Sequence, residues 1–223
     1  MVNDSGKLRR RRSKGHESPV HDRPRLLHEG HRHHLDAVVV FPASGCHRRD
    51  SGLNLWDTEG HLDEYLPGAF QHIRFGIASM HKNVMPVLDA DAHTEAYIRA
   101  MDHACIDLIG HPGIPSYPID AERLVRAVAE RGRLIEINNN SFVARPGCDV
   151  NCRKIARLCM QYDVRVCVDS DAHFCANVGE VPKALEMLDS IDFPPELIVN
   201  STFERFEAYI AEREARMKTA SVL

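Results

Sequence analysis

No run of apolar residues in this 223-residue chain is long enough to cross a bilayer. The basic N-terminus is not followed by an apolar stretch, so it does not read as a secretory signal. Charge of one sign is also missing. The net charge is only −4, which gives no general pull toward nucleic acid or an anionic membrane. A disulfide framework is excluded as well. Seven Cys is an odd count at scattered positions, in a chain large enough to bury a core without staples. Reduced thiols in the cytoplasm follow, and Cys148 and Cys152, four apart at a helix start, read as free thiols rather than metal ligands.

The chain does hold 43% hydrophobic residues, enough for one domain, and 14 His. Its character changes near Ser51. Residues 1–50 carry Arg9–Arg12, seven His and a single apolar run, Leu35–Phe41, without helix or strand periodicity. From residue 51 to 223 short apolar runs alternate with amphipathic stretches. The strand candidates are Leu53–Trp56, Phe75–Ser79, Ile106–Ile109, Leu134–Ile137, Val164–Val168 and Leu197–Val199. Each is short and largely apolar, as strands covered on both faces are. Helical stripes lie between them: Leu124, Val125 and Val128 after an Asp120 cap and before Gly132; Ile155, Leu158, Cys159 and Tyr162; Val181, Ala184, Leu185 and Leu188 before Pro194. Strand–helix alternation predicts a parallel α/β fold, a barrel or an open sheet, with chemistry at the C-terminal ends of the strands.

Those ends carry a pattern. Phe75–Ser79 leads to Met80-His81-Lys82, and Ile106–Ile109 to Gly110-His111-Pro112-Gly113. Val164–Val168 leads to Asp169-Ser170-Asp171-Ala172-His173. Imidazoles and a carboxylate delivered to one end suit zinc, iron or manganese. Asp171 and His173 are expected on one face of an extended segment. Lys82 and Arg145 lie in loops on the same side, where they could neutralise a substrate phosphate. His61, His72, His93 and His103 fall in helical or loop contexts and are expected to be solvated. A metal that lowers the pKa of bound water to about 7 makes phosphate ester hydrolysis the natural chemistry.

These stretches, together with Leu134–Phe142 and Asp192-Phe193-Pro194-Pro195-Glu196, resemble the PHP superfamily (polymerase and histidinol phosphatase), in its bacterial histidinol-phosphatase-like zinc phosphatase branch. The similarity runs from about Leu53 to about Tyr209. It implies a distorted TIM-like barrel of seven strands and up to three zinc or manganese ions. His81 and His111 would bind one ion, Asp171 another and His173 a third.

The chain also departs from that pattern. The family opens on a strand followed by His-x-His, then a strand followed by Thr-Asp-His, and it has a metal-bridging Glu where Gly52 stands here. His31-Arg32-His33 precedes its apolar run and would face the wrong end. Codons permitted for Ser13–Arg25, advanced by one base, include a Thr-Asp-His product, so the segment from about Arg9 to about Asp50 reads either as a shifted reading frame or as a natural basic extension. The expected fold is then a (β/α)7 barrel without its first two strands, with fewer ions and low phosphatase activity. A non-catalytic remnant or binding module and a nuclease or proofreading domain remain the alternatives. The expected partner is a small phosphorylated substrate, not a membrane or nucleic acid.

Overall fold

The computed structural model describes residues 50–55, 75–82 and 85–220, with the backbone alone for 50–55 and 220. Most of the N-terminal segment, His61, His72 and Trp56 lie outside the described residues.

Five parallel strands form one sheet in the order β1 (Asp50–Leu55), β2 (Phe75–Met80), β3 (Ile106–Ile109), β4 (Leu134–Asn138) and β5 (Val166–Asp169). Each strand pairs with its neighbour in sequence. Such parallel neighbours need a crossover, and helices α1 (Ala90–Ala100), α2 (Ala121–Arg131), α4 (Cys148–Gln161) and α5 (Pro182–Asp189) provide them after β2, β3, β4 and β5. A short α3 (Ser141–Ala144) precedes α4, and α6 (Phe203–Ala220) ends the described chain. The expectation of parallel α/β alternation is met. The described residues form an open sheet, without barrel closure.

Side-chain alternation divides the core into two layers. Ala78 and Met80 of β2, Ile135 and Ile137 of β4, and Val166 and Val168 of β5 pack with Leu124, Val128, Ile155 and Leu188 of the crossover helices. Phe75, Leu108, Leu134 and Cys167 pack on the other face with Tyr209 and Ile210 of α6. The caps read from sequence hold. Asp120 accepts from the Arg123 N–H at 3.1 Å, and Gly132 ends α2 in the left-handed region at φ 60°. Asp89 caps α1 in the same way, accepting from Ala92 N at 2.8 Å.

Two expectations are corrected. Leu197–Val199 is not a strand. It is divided between two short 3-10 helices, and only Ile198 bridges to Val166. The Asn200 side chain takes the place of the missing ladder. Its Oδ1 accepts from Val168 N at 3.0 Å, and its Nδ2 donates to Val168 O at 2.6 Å. One amide thereby satisfies the strand-edge groups that a sixth strand would otherwise pair. His93 is not solvated either. It is fully buried in α1, accepts from Leu88 N at 2.9 Å through Nε2 and meets Pro118 O at 2.9 Å through Nδ1. His103 is exposed, as expected.

The N-terminal end of the sheet is fastened by one carboxylate. The β2–β3 register shifts at Gly76/Ile77, leaving Asp107 as the extra residue of a bulge. Its side chain accepts the Gly76 N–H at 2.8 Å, Arg213 Nε at 2.7 Å and Arg216 Nη2. Tyr209 Oη donates to its backbone carbonyl at 3.2 Å. A Cβ on Gly76 would lie 2.2 Å from Cys105 O, so only glycine permits this approach. Asp107 is fully buried and the Arg213 side chain is 6% exposed, so the pair is desolvated. Replacing Asp107 by Ala leaves two guanidiniums facing a vacated site, and such losses cost about 3–5 kcal/mol. Urea unfolding of Asp107→Ala should show a midpoint shift of that size; a loss below about 1 kcal/mol would contradict the tie between α6 and the sheet.

Candidate functional site

Because all strands run parallel, their C-terminal ends open on one side of the sheet. His81 follows β2 directly and is exposed, whereas His111 follows β3 and is buried. Their rings meet edge to face with centroids 5.0 Å apart. His111 takes a positive φ of 32°, uncommon for a residue with a side chain. Its N–H donates to the Glu136 carboxylate, which holds this turn, and its Nδ1 is buried without a partner. Burial, then the nearby Arg145 guanidinium, pushes its pKa down to about 4, so the ring is neutral at pH 7.

Strand alternation puts Glu136 and Asn138 on the same face of β4 as Leu134, and Asp169 on the same face of β5 as Cys167. The register sets Asn138 beside Asp169 and Glu136 beside Cys167. That face is apolar where α6 covers it and carboxylic at the C-terminal end. Glu136 accepts from Asn138 Nδ2 at 3.4 Å and lies close to the Asp169 carboxyl. Burial raises the pKa of both carboxyls, and the other's charge raises that of Asp169 further. Two neighbouring buried carboxyls do not both ionise readily, so the protonated form of the pair is favoured. Asp169 Oδ1 is buried and has no partner.

Asp171 and His173 are arranged differently from expectation. β5 ends at Asp169, and Asp171 takes a left-handed φ of 47°, so the two do not repeat along an extended segment. Asp171 turns to Arg145, whose Nη2 lies 3.3 Å from Oδ2. Arg145 also donates to Ser141 Oγ at 2.8 Å. The His173 side chain is 80% exposed, with Nδ1 2.9 Å from the Asp171 carbonyl and 3.9 Å from its Oδ1. Lys82 is exposed at the rim. The structure thus brings together His81 with His111 and Arg145 with Asp171, and leaves His173 facing outward. Among the described residues no three His, Cys, Asp or Glu side chains converge as a set that could hold a metal.

Glu136 and Asp169 escaped the sequence reading, although a carboxylate within Leu134-Ile135-Glu136-Ile137 is a visible anomaly in a strand buried on both faces. The Asn run beside it is structural. Asn138 Oδ1 accepts from Ser141 N at 2.8 Å. Asn139 Oδ1 accepts from Lys183 N at 2.9 Å and Ala184 N at 3.1 Å, capping α5 from across the loop.

The chain is 38% identical over 168 residues to a protein of Acetivibrio thermocellus named "probable phosphatase", covering 74% of this chain and 68% of that one. It is 39% identical over 200 residues to one of the same name from Clostridium novyi, covering 85% and 79%. The chain belongs to this family. A third member, from Caldanaerobacter subterraneus, is 40% identical over 167 residues, 65% of its length. The chain thus spans about two thirds to four fifths of these family members. No family model matches it. Among the described residues no helix is long and apolar enough to cross a membrane.

The carboxyl pair has a consequence for pH. Raised pKa values mean that the folded chain keeps a proton that the unfolded chain releases near pH 4. The folded state therefore binds more protons above that point, and its stability falls as pH rises toward the folded pKa. Asp169→Asn removes this penalty and can still donate to Glu136. In chelator-treated protein it should raise the Tm at pH 8 and narrow the difference between pH 5 and pH 8. An unchanged or lower Tm at pH 8 would show that the pair carries no such cost.

Proposed function

We propose that this chain derives from, and retains part of, a metal-assisted phosphoric monoester hydrolase of PHP type. The observation that carries the reading is His111 Nδ1, a buried imidazole nitrogen without a partner, in a ring held neutral and set against His81. A neutral imidazole is the form that ligates zinc or manganese. The names of the family members support hydrolysis of phosphate esters. A sheet whose strands follow one another without reversal is compatible with a barrel wound in one direction.

The residues fit the implied metal in part. His81 and His111 would hold one ion, and Asp171 and His173 would contribute to others once Arg145 and the outward rotamer release them. A bound zinc or manganese ion would polarise a phosphoryl oxygen and lower the pKa of a bound water. Arg145 supplies a guanidinium beside that position to orient a phosphate, and Lys82 a second cation at the rim. Fewer than three ions are expected, because the described ligands do not converge as a full set. The same observation favours a second reading, a non-catalytic remnant that keeps the fold and binds phosphorylated ligands.

Elemental analysis of the purified full chain, with turnover of a phosphomonoester, tests both. On the order of one equivalent of zinc or manganese should be retained, and His111→Ala should abolish it. Turnover should lie more than about tenfold below that of the Clostridium novyi family member. Equal metal retention by the wild type and His111→Ala would overturn the assignment. Turnover within tenfold would overturn the expected impairment, and none at all would leave the remnant reading standing.

A further inference from the structure

The charged pairs of this fold differ in what they tie together. Asp107 with Arg213 joins a strand to α6, and both side chains are almost fully withdrawn from water. Arg165, next to β5, grips Glu212 of α6 with two contacts, at 3.0 and 2.7 Å. Arg123 of α2 reaches Asp91 and Glu95 of α1. Each of these fastens one element to another. Arg145 and Asp171 instead join two loops at the C-terminal end of the sheet, through a contact of 3.3 Å. Charge-assisted hydrogen bonds between such groups usually close to about 2.7–2.9 Å. The two side chains are 24% and 25% exposed, so water and small ions have access to both.

Each end of this pair is held from behind. Ser141 is buried at the start of α3, and its Oγ donates to Asn138 Oδ1 at 3.1 Å. The same oxygen accepts Arg145 Nη1 at 2.8 Å, so the guanidinium hangs from the end of β4. Asp171 is turned by its left-handed φ of 47°, and its carbonyl meets His173 Nδ1 at 2.9 Å. Under the proposed function Asp171 serves a cation and Arg145 a phosphate. Each therefore takes its own ligand only by giving up the other. A group committed to one partner binds a second with an affinity reduced by the fraction of time it is free.

We propose that Arg145 and Asp171 form a self-inhibitory latch, in which the ion pair withholds the guanidinium from phosphate until a divalent cation takes the Asp171 carboxylate. The inference rests on the metal-assisted phosphate reading above. Linkage makes the effect reciprocal, so phosphate on Arg145 raises cation affinity at Asp171 by the factor that the cation raises phosphate affinity. An order of binding follows. A phosphate that arrives before the metal meets a paired guanidinium, and the metal-loaded chain is the form that collects substrate.

Asp171→Asn imitates the neutralising effect of a cation without requiring one, and Asn tolerates the left-handed backbone found there. Inorganic phosphate is titrated calorimetrically, at low ionic strength, into the full chain stripped of metal and dialysed free of chelator. Affinity should rise about three- to fivefold in Asp171→Asn, the scale of a partly exposed ion pair. In an Arg145→Ala background the same substitution should raise it by less than about twofold, because the cycle separates release of Arg145 from general relief of charge repulsion. An equal gain in both backgrounds, or no gain in either, would overturn the latch. Circular dichroism of each variant keeps loss of fold out of the comparison.

Mn2+ binding, read from the paramagnetic resonance of the free ion, tests the other arm. Arg145→Ala should bind Mn2+ about three- to fivefold more tightly than the wild type. Equal binding would overturn the latch. So would weaker binding, which would show that Arg145 orients Asp171 for the metal. Absence of Mn2+ binding from both proteins would remove the metal-assisted reading and the latch with it, whereas a failed phosphate cycle in a chain that binds Mn2+ would remove the latch alone.

Discussion

The parallel register of β4 on β5 is the constraint on which the C-terminal end of the sheet depends. It sets Asn138 beside Asp169, and strand alternation then puts Glu136, Asn138 and Asp169 on one face. Glu136 in turn holds the His111 backbone, and the same register lays the loop carrying Arg145 beside the loop carrying Asp171. A slip of one residue would turn Glu136 into the layer occupied by Ile135 and Ile137, and would point those two toward α6. That slip would bury the Glu136 carboxylate among Ala78, Val166 and Val168 and take Leu134 out of its packing against Tyr209 and Ile210. The site's geometry is thus secured by hydrophobic packing at the other end of the same face.

The parts legible in the sequence are those governed by local rules. The Asp120 cap, the Gly132 stop and the strand positions of β2, β3 and β4 follow from neighbours within a few residues. So does the placement of His81 and His111 after strands. The parts that were not legible depend on distant partners. His93 looked solvated because a helix with weak amphipathicity does not announce that Pro118 and Leu88 will close over its ring. Leu197–Val199 looked like a strand because its composition is apolar. Its pairing is supplied instead by the Asn200 side chain, whose bidentate hold on Val168 needs the three-dimensional approach of the two segments. The expectation for Asp171 and His173 assumed that extended geometry continues past the strand. The left-handed turn at Asp171 ends it and rotates His173 outward.

The two ends of the sheet treat buried charge in opposite ways. At the N-terminal end Asp107 is satisfied by two guanidiniums and a backbone amide, and α6 is fastened by it. At the C-terminal end Glu136 and Asp169 face each other with a guanidinium reserved for Asp171, and the protein must keep a proton there or pay for two buried charges. An arrangement that serves only folding would neutralise this pair as completely as it neutralises Asp107. Asp169 Oδ1 and His111 Nδ1 are buried there without a partner, and His111 and Asp171 take positive φ; at the opposite end Arg133 Nε and Nη1 are likewise unpartnered, and Asp163 and Asp192 take positive φ. Unsatisfied polar atoms and left-handed backbone are individually costly, and both ends of the sheet carry them. The fold tolerates that cost because the helix-covered layer and the Asp107 ion pairs hold it.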